Sequence, residues 1–269
     1  MHTHLVSAPA TFFFIIIAIT LVQFPVPSVH AVDDDRYLNC SETFACADIM
    51  NLGYPFWGSN RPEYCGYPGF ELNCSVNPPQ LNVADMYYRV FEINSVARSL
   101  KVARVDYWNT TCPAIHANTT IDRSTLFSYT LGTTNLTLYY HCPASSISRL
   151  PTTQTADGFS FTCAGDANNF TNYYSSSSIN SLLGLCANNV KVPVAEWGTP
   201  NNHRLWTAIN LGFMVGWNAN NTMCDRCEGS GGQCGFNTST NAFACHCKPG
   251  SFPATCGSDI GKYPFHWLI

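Results

Sequence analysis

Cysteine content constrains this chain more than any other feature. All 14 cysteines lie after residue 31, and their number is even. An even cysteine count in a secreted chain predicts a disulfide framework, here about seven bonds, because an oxidising compartment favours disulfides over free thiols. The chain is therefore expected to form small stapled domains. The predicted disulfide cysteines are Cys40, Cys46, Cys65, Cys74, Cys112, Cys142, Cys163, Cys186, Cys224, Cys227, Cys234, Cys245, Cys247 and Cys256.

The N-terminus indicates a secretory signal peptide. A nearly unbroken apolar run extends from Phe12 to Val22, the length of a signal-peptide core and too short to span a bilayer. Val29 and Ala31 then supply small residues for a cleavage site after Ala31. We predict that residues 1–31 are removed and that the protein is secreted. An uncleaved membrane anchor is the alternative.

Polar character comes mainly from Asn, Ser and Thr, as in many glycosylated secreted proteins. Charged residues make up only 11% of the chain, roughly half the usual share. The net charge of −4 gives no electrostatic basis for nucleic-acid binding. Eight N-x-Ser/Thr sequons predict glycosylation at Asn39, Asn73, Asn109, Asn118, Asn135, Asn169, Asn220 and Asn237.

Cysteine parity suggests where domains can end. If disulfides close within domains, a boundary must leave an even number of cysteines on each side, which allows one near residue 108 or one near 150. Ser, Thr and Pro concentrate between Pro143 and Asp157, as in a linker. We predict a cysteine-rich domain at 32–108, a connecting β segment and linker at 109–156, a second cysteine-rich domain at 157–250 and a tail at 251–269.

Local patterns predict mainly β structure with one short helix. Four segments combine partial alternation with β-branched or aromatic residues and are predicted strands: 88–93, 100–105, 136–140 and 159–162. Val190 to Val194 is an edge strand at best, because Pro193 cannot donate to a ladder. Apolar residues at helical spacing predict one helix from Ile179 to Asn188. The fold class is therefore small, disulfide-rich, mainly β domains.

An aromatic cluster between residues 51 and 70 is the first candidate binding feature. It contains Tyr54, Phe56, Trp57, Tyr64, Tyr67 and Phe70, interspersed with Gly and Pro. Aromatic faces cover the C–H-rich faces of sugars, so Trp57, Tyr64 and Tyr67 are candidate stacking residues. The alternative, favoured residue by residue, is that these rings form the core of a small disulfide-rich domain. Both hold if one or two rings stay exposed.

Arginine residues near this cluster are candidates for contact with an anionic glycan. Arg61, Arg89 and Arg104 can each present a guanidinium that binds a carboxylate in two places. Acids match bases in number within 61–123, so charge counting does not decide between ligand contact and a solvated face.

The C-terminal cysteine run favours disulfides over a metal site. Six cysteines lie between Cys224 and Cys256, with His246 among them, and in an oxidising compartment such spacing indicates a stapled hairpin rather than zinc ligation. The region loosely resembles an epidermal-growth-factor module, and we predict a cystine-knotted hairpin there. No serine-hydrolase elbow, phosphate loop, kinase motif or zinc-protease motif is present in the sequence, and no catalytic residues are predicted.

Two ordered sets of motifs resemble a known family. Cys46-x4-Asn51-Leu-Gly-Tyr-Pro-Phe-Trp-Gly58 and Cys65-Gly-x-Pro-Gly-Phe-Glu-Leu-x-Cys74 resemble the galacturonan-binding domain of plant wall-associated receptor kinases. Leu211-Gly-Phe-Met-Val-Gly-Trp217 and the cysteines from Cys224 to Cys247 are similar to that family's C-terminal associated domain. The leaf-rust-resistance-locus type of receptor-like kinase is the most similar group.

The resemblance implies an ectodomain in the apoplast and cell wall that contacts pectin. Family members signal through a transmembrane helix and a cytoplasmic kinase. The sequence up to Ile269 carries neither, so we expect a stand-alone relative or a truncated product without enzymatic activity. Our leading hypothesis is binding of pectin, most plausibly de-esterified homogalacturonan and oligogalacturonides, with Arg61, Arg89 and Arg104 meeting carboxylates. No cofactor or metal site is predicted, although calcium could bridge acids to pectate. The alternative is a protein-interaction module or decoy ectodomain that binds a peptide or a partner receptor.

Overall fold

The structure is a computed structural model that describes residues 33–148, 159–166, 170–176, 178–195 and 205–257. The predicted signal peptide, the sequon residue Asn169, the linker beyond Ser148 and the tail beyond Gly257 lie outside these residues. Within the described ranges, the chain forms four antiparallel sheets and five short α-helices. None of the helices found there is long and apolar enough to cross a membrane.

The N-terminal part forms a short helix, a small hairpin and the strands of a larger sheet. Helix α1 (Asp35–Ser41) begins after Asp34, whose carboxylate accepts hydrogen bonds from the Arg36 and Tyr37 amides. Strands β1 (Phe44–Cys46) and β2 (Ile49–Leu52) pair as a hairpin. The next strands are β3 (Leu72–Asn73), β4 (Gln80–Val83), β5 (Met86–Asn94), β6 (Ser99–Arg104) and β7 (Phe127–Tyr129).

A six-stranded sheet joins distant parts of the chain. Strand β12 (Phe213–Trp217) inserts between β6 and β7, so the order is β3–β4–β5–β6–β12–β7. Alternate side chains of β4, β5, β6 and β12 face a common core, as expected for a sheet with one buried face. The large buried members of this core include Phe56, Phe70, Tyr88, Phe213 and Trp217. The interpretation of the aromatic cluster as core is therefore correct for Phe56 and Phe70.

A second sheet has four strands. These are β8 (Thr133–Pro143), β9 (Phe159–Phe161), β10 (Phe170–Ser175) and β11 (Asn188–Ala195), in the order β11–β8–β10–β9. Strand β11 lies at the edge, as its proline predicts, and Pro193 is opposite Asn135. Helix α4 (Leu205–Leu211) covers one face of this sheet with Leu205 and Ile209.

The C-terminal part is a three-stranded sheet stapled to a helix. Strands β13 (Gln233–Asn237), β14 (Ala242–Cys247) and β15 (Gly250–Phe252) form the sheet, and α5 (Asn221–Gly229) precedes it. Gly232 lies so close to the sulfurs of Cys227, Cys245 and Cys256 that a Cβ at this position would overlap them. The glycine thus permits the disulfides to pack against the turn.

All 14 cysteines are paired, which confirms the predicted disulfide framework. The bonds are Cys40–Cys65, Cys46–Cys74, Cys112–Cys163, Cys142–Cys186, Cys224–Cys234, Cys227–Cys245 and Cys247–Cys256. The third and fourth bonds cross residue 150, so an even cysteine count on each side does not by itself locate a boundary there. None of the seven crosses residue 108. The domain limits at 108, 156 and 250 remain predictions.

The mainly β class is confirmed, and the four predicted strands are present in β5, β6, β8 and β9. The helical content differs from the prediction of one helix from Ile179 to Asn188. Only α3 (Asn180–Leu183) is helical there, since Gly184 follows it and the Ala187 amide donates to Tyr140 at the start of the β11 ladder. Helix α2 (Ala144–Ile147) is equally short. Helix α5 contains few apolar residues, and its two buried positions are occupied by the disulfide cysteines Cys224 and Cys227.

Candidate functional site

A groove of about 970 Å³ lies beside the β3–β4–β5 edge of the six-stranded sheet. Leu81, Val83 and Tyr88 are buried, whereas Gln80, Asn82 and Tyr87 project from the opposite face into the groove. The strand alternation therefore separates a core face from a polar, accessible face. The lining is Trp57, Gly58, Ser59, Gly69, Glu71, Leu72, Asn73, Cys74, Ser75, Gln80, Asn82, Ala84, Asp85 and Tyr87.

Trp57 forms one wall and is held in a defined orientation. Its indole N–H donates to the Tyr67 carbonyl at 3.1 Å, and its own carbonyl accepts from the Leu72 amide at 2.9 Å. The ring packs so closely on Gly66 that a Cβ at residue 66 would overlap it. Gly58 follows with φ of +134°, and a Cβ there would overlap the Leu72 carbonyl oxygen. Two glycines thus place an only partly buried tryptophan beside β3.

Tyr87 forms the opposing aromatic surface and was not among the predicted site residues. Strands β4 and β5 are joined by the two-residue turn Ala84–Asp85, in which both residues have positive φ, as in the primed turns that suit hairpins. The Asn82 side-chain oxygen accepts from the Asp85 amide at 3.1 Å and stabilises this turn. Tyr87 is 52% exposed. Because side chains alternate along β5, one of the neighbouring residues Tyr87 and Tyr88 must face outward. The sequence does not show which of the two it is.

A smaller apolar hollow continues the groove past Tyr87. It has a volume of about 280 Å³ and shares Asp85 and Tyr87 with the groove. Its other lining residues are Met86, Val105, Asp106, Ile115 and Ala117. Ile115 is largely exposed. The two hollows together present amide, aromatic and aliphatic groups.

Among the residues that the structure describes, the groove is lined by acidic and neutral polar groups and by no basic side chain. Glu71 and Asp85 contribute carboxylates, and Asn73, Gln80 and Asn82 contribute amides. Amides both donate and accept hydrogen bonds, so they suit the hydroxyl groups of a polysaccharide. Aromatic faces with a few polar groups around them are typical of sugar-binding clefts.

The sequon residue Asn73 also lines the groove. Its side-chain oxygen accepts from the Ser75 amide at 3.1 Å and from the Ser75 hydroxyl at 2.6 Å. Of the seven sequon asparagines within the described residues, all except the half-buried Asn237 are exposed. Glycosylation at these positions remains a prediction. A glycan on Asn73 would occupy the groove itself.

Arg61 lies in the interior. Its guanidinium donates to the backbone carbonyls of Glu42, Cys40 and Cys65, the latter two at 3.3 Å. Only 6% of the residue is exposed, and burial lowers the pKa of Arg61 to about 10. The side chain ties helix α1 to the short 3₁₀ helix at Glu63–Cys65, and these contacts leave it no part in the groove.

Arg104 and Arg89 are equally buried. Arg104 is 1% exposed and binds both carboxylate oxygens of Asp106, at 3.0 and 2.6 Å. Arg89 is 3% exposed, and its guanidinium carbon lies 3.4 Å from the centre of a Trp108 ring. The same guanidinium donates a hydrogen bond of 3.3 Å to the side-chain oxygen of Asn210. Burial lowers the pKa of Arg89 to about 10. The structure thus brings none of the three predicted arginines into the groove, and their role in ligand contact remains a prediction without support from their positions.

Tyr64 and Tyr67 face the C-terminal sheet rather than the groove. Tyr64 packs edge-on against His246, and the Tyr67 ring contacts Tyr54, Phe70 and Phe236. Of the six predicted ligand residues, Trp57 alone lines the groove. Stacking by Tyr64 and Tyr67 remains a prediction, and Tyr67 contributes to the groove only through the carbonyl that holds Trp57.

His246 has a structural environment. The residue is fully buried, its Nε2 lies 3.0 Å from the Tyr64 carbonyl and its Nδ1 lies 2.7 Å from the Ser251 hydroxyl. A carbonyl only accepts, so Nε2 carries the proton and Nδ1 accepts from Ser251. In the described residues, the groups of potential metal ligands consist of disulfide-bonded cysteines, in one case with Glu228. Their sulfurs are consumed by the disulfides, so these groups do not form a zinc site.

Comparison with known proteins places two family models on the chain. Residues 40–104 match the wall-associated receptor kinase galacturonan-binding model, and residues 160–250 match the wall-associated receptor kinase C-terminal model. The groove lies almost entirely within the first segment. No solved structure shows a significant match to this chain.

Receptor-like kinases of Arabidopsis thaliana are among its relatives. Leaf rust 10 disease-resistance locus receptor-like protein kinase-like 2.1 is 31% identical over 249 residues, which cover 87% of this chain and 38% of that protein. The 2.8 member is 33% identical over 239 residues, which cover 84% of this chain and 26% of that protein. The chain therefore spans about a third of the length of these relatives. It belongs to the wall-associated receptor kinase ectodomain family, of the leaf-rust-resistance-locus type.

Proposed function

We propose that this chain is a non-enzymatic, secreted binder of cell-wall pectin and that the groove beside β3, β4 and β5 is its binding surface. The observation that carries this proposal is the placement of Trp57 and Tyr87 in an open groove lined with amides. This groove coincides with the segment that matches the galacturonan-binding model. An elongated, open groove suits an extended polymer better than a small enclosed metabolite.

The chemistry of the groove fits a polysaccharide. Trp57 and Tyr87 present flat rings to the C–H faces of sugars, and Asn73, Gln80 and Asn82 supply donors and acceptors to hydroxyl groups. The seven disulfides support secretion, since such a framework persists in an oxidising compartment. Together with the family's association with the cell wall, this supports an apoplastic location.

Binding to immobilised pectin tests the proposal. The full chain is expressed through a secretory route, and its affinity for pectin is compared with that of Tyr87→Ala. We expect a loss of at least about fivefold, because an aromatic platform contributes about 1–3 kcal/mol in the comparable case of stacking on nucleic-acid bases, and about 1.4 kcal/mol is tenfold. Trp206→Ala is the matched control, since Trp206 is 46% exposed on α4 and lies outside the groove lining.

Two outcomes would contradict the proposal. One is that the folded, fully oxidised protein, freed of any glycan at Asn73, does not bind pectin of any degree of esterification. The other is that Tyr87→Ala and Trp206→Ala bind pectin as tightly as the unchanged protein. The first result would favour the protein-interaction module, which a screen against peptides and receptor ectodomains would then address. The second would show that pectin binds at a surface other than this groove.

A further inference from the structure

The charged residues in the described lining of the groove are both acidic. Glu71 and Asp85 are exposed and line it, whereas none of the described lysine and arginine side chains does. The adjoining hollow adds Asp106, which is paired with Arg104. Within the described lining, a ligand therefore meets two carboxylates and no basic partner.

We propose that the groove selects galacturonan whose carboxyl groups are esterified, and therefore uncharged, over the free acid. This inference rests on the proposed function, because it concerns the ligand of the same groove. It departs from the sequence-based expectation of de-esterified homogalacturonan, which depended on contacts from three arginines.

Those arginines are buried, and none of them lines the groove. The guanidinium of Arg61 donates hydrogen bonds to three backbone carbonyls, and that of Arg104 donates to both carboxylate oxygens of Asp106. Arg89 lies opposite Gln80 in the β4–β5 register, and so is closest to the groove. Its guanidinium contacts Trp108 and Asn210, neither of which lines the groove. Recognition of a uronate normally uses an accessible guanidinium that binds both carboxylate oxygens, and the described lining offers none.

The features present in the groove match a methyl ester. An ester carbonyl accepts hydrogen bonds from the amides of Asn73, Gln80 and Asn82, and its methyl group needs an apolar contact. The hollow beyond Tyr87 supplies such a contact through Ile115 and Val105. Burying the methyl group is favourable in proportion to the apolar area removed from water. Amide donors and an apolar hollow thus both lie beside Tyr87.

Repulsion disfavours the free acid. Polygalacturonate carries a negative charge on each sugar, and like charges near a protein surface raise the free energy of binding, more so at low ionic strength. Calcium would reverse this only if several oxygen ligands converged, since the ion takes six to eight. In the described part of the chain, Glu71 and Asp85 do not belong to a group of three close ligating side chains.

The test compares homogalacturonan oligomers of one length, either highly methyl-esterified or fully de-esterified. Affinity of the secreted full chain is measured at low salt with a calcium chelator, and then across a salt series. We expect the esterified oligomer to bind at least about tenfold more tightly, with the ratio falling as salt screens the repulsion. Equal affinities, or tighter binding of the free acid with or without calcium, would overturn this inference and leave the proposed function in place.

A charge-neutralised variant identifies the cause. In Glu71→Gln/Asp85→Asn, the ratio of the two affinities should move from about tenfold towards parity, because the repulsion is removed. The matched control is Glu63→Gln/Asp122→Asn, which removes two exposed carboxylates outside the lining and should preserve the ratio. An unchanged ratio in the first variant would refute the electrostatic basis. No binding of either oligomer by the folded protein would instead refute the proposed function itself.

Discussion

Substitution of Arg61 distinguishes most clearly between a structural role and a ligand-binding role for this side chain. The sequence makes it a candidate for carboxylate contact, whereas the structure makes it an internal cation that satisfies the carbonyls of Cys40, Glu42 and Cys65. We predict that Arg61→Met destabilises the protein but leaves its affinity for pectin unchanged at temperatures well below unfolding.

The magnitude follows from the three carbonyls. The buried carbonyls of Cys40 and Cys65 each cost about 1–3 kcal/mol when unsatisfied, whereas Glu42 is exposed and water can reach its carbonyl. The sum of about 3 kcal/mol is offset by about 1 kcal/mol, since methionine has no charge to desolvate. A net loss of about 2 kcal/mol lowers Tm by about 4–8 °C in a domain of this size.

Thermal unfolding and pectin binding on the same preparation provide the test. Arg226→Met is the matched control, because it removes the same charge from an exposed position in α5 and should change Tm by less than about 2 °C. The reasoning would be refuted if Arg61→Met kept its Tm while losing affinity for pectin. That combination would show that the guanidinium contacts the ligand.

Three further predictions concern the groove and the C-terminal sheet. Gly58→Ala should lower the free energy of unfolding by about 2–3 kcal/mol and weaken pectin binding, because alanine is strained at φ +134° and its Cβ would overlap the Leu72 carbonyl. Denaturant unfolding measures this loss, and Gly53→Ala is the control because a Cβ at residue 53 would enter open space. Glycoforms modified at Asn73 should bind pectin at least about tenfold more weakly than Asn73→Gln, a loss of about 1.4 kcal/mol, and equal affinities would show that the glycan avoids the groove. Burial lowers the pKa of His246 below its usual value near 6.5, so its contribution to stability is complete above that pH and declines as pH falls towards the lowered value. The free energy of unfolding should therefore decrease from pH 7 to pH 5, and His246→Gln should reduce this slope; an identical slope in the variant would contradict the assignment.

Local sequence patterns predicted much of the secondary structure because their signals are local. The alternation in 88–93 and 100–105 corresponds to β5 and β6, and Pro193 correctly identified β11 as an edge strand. The helix expected from Ile179 to Asn188 is reduced to Asn180–Leu183, because the chain turns at Gly184 and enters the β11 ladder. Apolar periodicity cannot show this competition between helix and strand, because the residues that pair with β11 lie far away in sequence.

The candidate site was predicted only in part, and the reason is again physical. Trp57 was found because it lies in a dense aromatic motif, whereas Tyr87 stands in a strand where either of two tyrosines can face outward. The surroundings of the arginines could not be predicted for a similar reason. An arginine on a strand looks the same in sequence whether it meets solvent or, like Arg89, is covered by Trp108 and by Asn210 from α4.

The sequence by itself determined the disulfide-rich β class, the family and the segment in which the groove lies, because cysteine number, strand alternation and long motifs are properties of the chain alone. The tertiary structure decided which cysteines pair, which aromatic rings remain accessible and which charges line the groove. Those outcomes depend on elements far apart in sequence, such as β12 between β6 and β7. The sign of the groove's charge follows from burial of three arginines, and burial is set only when the covering segments pack together.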